Sequence, residues 1–159
     1  MSKLLIRALD VHDMLQLEGA IDLLESAFAD PERYSRARIT REMLVDDAPY
    51  YRQFFIAIKQ GRTVGVGGVK AADWATKTHL LYLSAVAPDM RGQGIARALL
   101  AARVEWLIKR FGSGRVLVST SRTKRFRELG FVEISGSKME GRTLMRLHFR
   151  KKRQRSEKP

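Results

Sequence analysis

The stretch "APDMRGQGIARALLAARVEWL" (residues 87–107) decides the fold, because it sets an arginine and two glycines directly ahead of a long apolar pattern. Ile95, Leu99, Ala102 and Trp106 recur at helical spacing and predict a helix from about Gly92 to Arg110. Ala96, Ala98, Ala101 and Ala102 let such a helix lie close on a sheet, and Glu105 and Lys109 form a favourable i,i+4 pair. Glycine opens backbone angles closed to other residues and lets a ligand approach the main chain. A helix start leaves its first N–H groups unpaired and carries partial positive charge. Arg91, Gly92, Gln93, Gly94, Ile95 and Ala96 combine both features, which predicts a site for phosphate oxygens with Arg91 as a fixed charge at its mouth.

Two nucleotide readings of this loop fail on residues. No Gly-Lys-Ser/Thr triplet exists for a Walker loop. The dinucleotide fingerprint needs a small residue where Arg97 stands, and an acid in the next strand, where "RVLVST" (115–120) has none.

Outward from the loop, the 159 residues suit one domain with one substantial core. The start, "MSKLLIRALDVHD", meets Asp10 and Asp13 before a signal-peptide core could form, and no apolar run reaches membrane-spanning length. A soluble, cytoplasmic protein without a membrane partner is therefore expected. With no cysteine, disulfides, thiol nucleophiles and Cys-ligated zinc are excluded. Three scattered histidines, His12, His79 and His148, argue against a metal site. The net charge of +13 is uneven: −4 over residues 1–50, +12 over 51–149 and +5 over 150–159, "RKKRQRSEKP". The basic two-thirds expects an anion.

The remaining pattern reads as follows. A strand at 3–9 precedes a helix capped by Asp10, with Asp13 in capping-box position and a core stripe of Met14, Leu17, Ile21, Leu24 and Phe28. A more polar helix covers 36–45. "RQFFIAIK" and "RTVGVGGVK" form a hairpin around Gln60-Gly61, with Gly65, Gly67 and Gly68 marking a bulge or close backbone approach. "THLLYLSAVAP" reads as a strand buried on both faces. Ser113-Gly114 turns the chain into "RVLVST", a short basic helix at 122–129 ends at Gly130, and "FVEI" and "TLMRLHF" are the last strands. Trp74 and Trp106 are expected to pack, and His79, at a strand start, to be solvated rather than a base. The fold class is α/β: a single domain over 1–149 with a mixed, mostly antiparallel sheet of about seven strands flanked by about four helices. Residues 150–159 form a basic tail.

With these elements in place the chain resembles the GNAT N-acetyltransferase superfamily and its acyl-CoA N-acyltransferase fold. The family pattern Gln/Arg-x-x-Gly-x-Gly/Ala is met by Arg91, Gly94 and Ala96, with "LSAVAPDM" before it and "FRELGFV" (126–132) downstream. The resemblance implies acetyl-CoA as cosubstrate, no metal, and a pyrophosphate on the amides of Arg91, Gly92, Gln93, Gly94, Ile95 and Ala96. It implies that the strand at 81–87 splays from that at 115–120, so that pantetheine pairs with the main chain near Ala85 and Val86. An N–H there would polarise the thioester carbonyl. Ser119 and Phe126 match further cofactor-lining positions. The activity implied is acetyl transfer to a primary amine of a small molecule or peptide, by direct attack.

The acid–base half of the family's set is altered. No acid stands in the strand before the loop; Tyr82 occupies the run where a carboxylate is common. Ser119 replaces a frequent Asn, and Phe126 replaces the tyrosine that commonly protonates the thiolate. Tyr82 and Ser119 are therefore the catalytic candidates. The resemblance also implies that the first two helices wall the acceptor side; their −4 charge suggests a cationic acceptor, with Glu25, Asp30, Glu32, Asp46 and Asp47 the nearest acids. Two other classes stay in view: an acyl-CoA-binding regulatory module with little turnover, and an RNA- or ribosome-associated enzyme using the tail. Nucleic acid is the less favoured partner, because the tail interleaves no aromatics for base stacking. The sequence leaves a homodimer open.

Overall fold

The computed structural model describes residues 3–44 and 50–153. The chain runs β1 (Leu5–Ala8), α1 (Met14–Phe28), α2 (Arg36–Leu44), β2 (Arg52–Lys59), β3 (Arg62–Ala71), β4 (Thr78–Val86), α3 (Ile95–Phe111), β5 (Ser113–Thr120), α4 (Thr123–Glu128), β6 (Val132–Glu133) and β7 (Thr143–Arg150). Seven strands form one sheet in the order β1-β2-β3-β4-β5-β7-β6. Every neighbouring pair is antiparallel except β4 and β5. This is the expected mixed sheet with four helices.

Each sheet face carries its own core, as an alternating strand pattern requires. Under α3 and α4, Ile95, Leu99, Leu100 and Leu107 pack on Val64, Val69, Leu81, Val116, Val118 and Met145. On the opposite face, Leu17, Ala20, Ile21, Leu24 and Ile39 from α1 and α2 pack on Phe54, Ile56 and Val66. The glycines of β3 are sites of close approach. A Cβ at Gly65 would meet Ile95 and Leu99 at 2.9 Å, and one at Gly67 would meet the Arg103 guanidinium at 2.8 Å.

Local chemistry moves several expected boundaries. Asp13, not Asp10, caps α1: its carboxylate accepts from the amides of Leu15 (3.1 Å) and Gln16 (3.3 Å). Gln16 returns a bond from the Asp10 amide (3.2 Å), while the Asp10 carboxylate is taken by the His12 amide. Met14 thereby becomes the first helical residue and stands exposed, outside the core stripe. Helix α3 starts at Ile95 because Gly92 and Gly94 are both left-handed, at φ 79° and 78°. The turn into β5 falls on Gly112, and Ser113 already belongs to the strand. Trp74 lies exposed in the β3–β4 connection rather than packed.

Candidate active site

Strands β4 and β5 pair only at Thr78↔Arg115, His79↔Val116 and Leu80↔Leu117. Beyond Leu80 they separate, which is the expected splay. It also explains why β4 is not buried on both faces throughout: Thr78, His79 and Leu81 are buried, whereas Tyr82 to Val86 have no neighbour on the β5 side and are partly open. At the same level β4 bulges. Gly68 pairs with Tyr82 and Val66 with Ala85, so Leu83 and Ser84 stand opposite Gly67 alone, and Leu83 takes φ 47°. Leu81 joins the core under α3, while Tyr82 and Leu83 both face α1.

Behind the bulge sits Arg103 of α3, only 3% exposed. Its guanidinium donates to Gly68 O (3.0 Å), Ser84 Oγ (2.9 Å) and Leu99 O (3.2 Å). No carboxylate among the described residues pairs with it, and burial lowers its pKa to about 10, so it stays charged at neutral pH. Nothing in the sequence marked this residue except its place on the buried stripe of α3, one step from Ala102.

Beyond the splay, a one-turn helix at Pro88–Met90 leads into the glycine loop. The first bond within α3 runs from the Ala98 amide to Gly94 O (3.0 Å), leaving the amides of Ile95, Ala96 and Arg97 without a helical carbonyl. Gly94 at the N-cap has no side chain to satisfy them, and beyond its immediate chain neighbours no atom lies within 4 Å of a Cβ built at Gly92 or Gly94. Open space thus faces a set of free donors. Arg91, Gly92, Gln93 and Gly94 are exposed, Ile95 is buried and Ala96 half-buried. Lys59 donates to Gln93 Oε1 (2.9 Å), and Arg62 holds Asp89 at 2.7 Å, a hydrogen bond that depresses the Asp89 pKa. The Arg125 pKa is lowered by desolvation and then by the charges of Arg122 and Arg97, the latter itself paired with Glu128. Positive charge from the starts of α3 and α4 thus acts on this side of the loop. These residues fit a ligand carrying several phosphates.

Tyr82 and Ser119 each stand two residues past the last β4–β5 pair, on the same sheet face. Tyr82 donates to Glu42 Oε2 of α2 at 2.8 Å. Glu42 is also paired with Arg52 (3.2 Å) and Lys70 (3.8 Å), and Lys70 sits 4.4 Å over the Tyr82 ring. Burial, followed by the charge of Glu42 and their hydrogen bond, raises the Tyr82 pKa, which keeps the phenol protonated. Arg142 donates to Ser119 Oγ (3.2 Å) and Ser119 O (2.7 Å). Glu42 and Arg142 escaped the sequence reading, since neither sits beside the loop in sequence. Phe126 is buried with its ring edge-on to Phe131 at 5.3 Å, an apolar wall without a proton to give.

Other candidates fall away from this region. His79 is buried rather than solvated, because it sits in the paired end of β4 against Phe111. Tyr51 hydrogen-bonds its Nδ1 (2.5 Å), and burial lowers its pKa to about 4. Glu25 shares Arg36 with Glu18 and Asp22, and Asp30 accepts from the Arg33 amide in a turn. Glu32 is exposed; Asp46 and Asp47 lie outside the described residues. Among the described residues no cluster of three metal-ligating side chains forms, and no helix is long and apolar enough to cross a membrane.

The comparisons agree with this geometry. Residues 17–131 match the family model of the acetyltransferase (GNAT) family. No match is found among curated proteins. The fold is similar to that of the ribosomal-protein-S18-alanine N-acetyltransferase from Escherichia coli, at TM-score 0.72 and 20% identity over 96% of this chain and 98% of that one. It is also similar to an aminoglycoside 6′-N-acetyltransferase complexed with coenzyme A (TM-score 0.73, 16% identity, 91% and 96% covered). A third is the PaiA N-acetyltransferase from Thermoplasma acidophilum in complex with coenzyme A (TM-score 0.71, 15% identity, 92% and 99% covered). A splayed β4–β5 pair opening onto uncapped amides, within a sequence that matches this family over most of its length, places the chain among the GNAT acetyltransferases.

Proposed function

We propose that the protein transfers acetyl from acetyl-CoA to a primary amine on a small molecule or peptide, by direct attack. The observation that carries this reading is the juxtaposition of the β4–β5 splay with the free amides of Ile95 to Arg97. In it, the diphosphate lies on the backbone from Arg91 to Ala96, with Lys59, Arg122 and Arg125 near enough to serve further phosphates. Pantetheine enters the splay beside Ala85 and Val86, walled by Ser119 and Phe126. Acetyl-CoA supplies an activated acyl carbon; the chain supplies position and electrostatics.

The acceptor approaches from the face of α1 and α2, where Tyr82 and Ser119 flank the opening. Its nitrogen attacks as the neutral amine, the new C–N bond forms and the C–S bond breaks. The coenzyme A thiolate departs and takes its proton from water, while the surplus ammonium proton leaves towards Glu42, directly or through Tyr82 and water. Glu42 thus takes the part of the acid that β4 lacks. A cationic acceptor suits the net charge of −4 over residues 1–50, which hold both helices of that face. The domain spans 1–149 in this reading, with the basic tail outside the chemistry.

Thiol release from acetyl-CoA against a panel of amines tests the proposal. Release that depends on a cationic amine supports it. Coenzyme A binding without release towards any amine would instead support the regulatory module that the absent β4 acid and Phe126 suggest.

A further inference from the structure

Among the described residues three aromatic side chains stand exposed, Tyr50 (48%), Trp74 (67%) and Phe111 (40%), and all three line one groove of about 530 Å³. The groove lies at the paired end of β4, with the nine residues of the strand, roughly 25 Å, between it and the glycine loop. It adjoins a second depression of about 430 Å³ that shares Thr76, Lys77 and Ser113 with it and is lined by Arg115, His148 and Arg150. An aromatic lobe thus continues into a basic one.

The tail is rooted at the same place. The Lys151 amide bonds Gly112 O (2.5 Å), next to Phe111, so Lys151, Lys152 and Arg153 leave the sheet beside the groove. Arg110 sits 5.5 Å over the Phe111 and Trp106 rings. Lys77, Arg110, Arg115, Arg150 and Lys151 make no ion pair among the described residues, so their charges are not neutralised within the fold. Asp73 is the one acid lining the groove.

From this placement we infer that the groove and the root of the tail bind single-stranded nucleic acid, with bases stacked on Trp74 and Phe111 and phosphates on the unpaired cations. The tail's own sequence lacks aromatics, and the fold supplies them from three distant segments. Stacking needs bases free of a duplex, which selects a single strand over a double helix. The rings line a concave groove, where a flat bilayer does not reach but a polymer strand does. The surface is separate from the acetyl-transfer site, so it stands or falls without the proposal above.

Fluorescence anisotropy of labelled 12-nucleotide RNA and DNA strands of mixed sequence, read on the full chain at a series of salt concentrations, tests this. Wild type should bind single strands, with or without saturating coenzyme A. The RNA and DNA arms show which backbone is preferred. Trp74→Ala and Phe111→Ala should each weaken binding by about 5- to 100-fold, the range of lost base stacking, with unchanged coenzyme A affinity. Arg115→Glu with Lys151→Glu should lower the slope of log K against log salt by about two. The inference is overturned if wild type fails to bind single strands, if coenzyme A displaces them, or if the aromatic variants bind as wild type does. Equal or tighter binding to vesicles of anionic phospholipid would also overturn it, in favour of a membrane partner.

Discussion

The phenol of Tyr82 on β4 meets the carboxylate of Glu42 on α2 at 2.8 Å, joining the strand that opens the splay to the helix covering it. Glu42 is mostly buried and is the one carboxylate that hydrogen-bonds a β4 side chain among the described residues. Glu42→Gln keeps the shape and accepts from Tyr82 through its amide oxygen, but it cannot take a proton. Turnover at neutral pH should fall at least a hundredfold, as loss of general-base assistance does, with coenzyme A affinity unchanged. A rate within threefold of wild type would remove Glu42 from the chemistry.

Arg103 fixes the bulge from behind. Arg103→Lys preserves the charge but not the fork that reaches Leu99 O, Gly68 O and Ser84 Oγ together. Two of the three acceptors, Leu99 O and Gly68 O, are buried, and leaving a buried acceptor unmet costs about 1–3 kcal/mol. Urea unfolding should therefore show a loss of about 2 kcal/mol or more in Arg103→Lys. Ser84→Ala, at an exposed partner, should cost clearly less.

His79 gives the fold a pH-dependent component. Its pKa falls from 6.5 to about 4 on burial, so between these values the unfolded chain binds the proton and the native one does not. Its contribution is complete above pH 6.5 and is lost as the pH drops towards 4. The melting temperature of wild type should fall from pH 7 to pH 5, above most carboxylate titrations, and His79→Phe should flatten that fall. An identical slope in both proteins would contradict the assignment.

Much of this was legible in the sequence, for identifiable reasons. The α3 stripe, the hairpin and the glycine loop depend on local periodicity and backbone freedom, which a linear reading carries. The splay was legible only through the family resemblance. The contacts of Glu42, Arg142 and Arg103 were not legible, because they join residues 40, 23 and 19 positions apart that only the folded sheet brings together. His79 was misjudged for a related reason: its burial comes from Phe111 and Phe149, brought over by α3 and β7. Asp10 and Asp13 differ by one turn, and both suit a cap. The choice between them was settled by Gln16, which reaches back to the Asp10 amide while its own amide meets Asp13.

The central claim, that the start of α3 holds the phosphates of coenzyme A, rests on Gly94. Its φ of 78° is one that aspartate tolerates better than most residues, and beyond its immediate chain neighbours no atom lies within 4 Å of a Cβ placed there. Gly94→Asp should therefore fold, yet it sets a negative charge against the free amides of Ile95, Ala96 and Arg97. Isothermal calorimetry of coenzyme A binding to the folded variant, beside wild type, reads the claim directly. Wild type should bind and Gly94→Asp should show at least a hundredfold loss of affinity. Equal affinity in the two proteins would contradict the site.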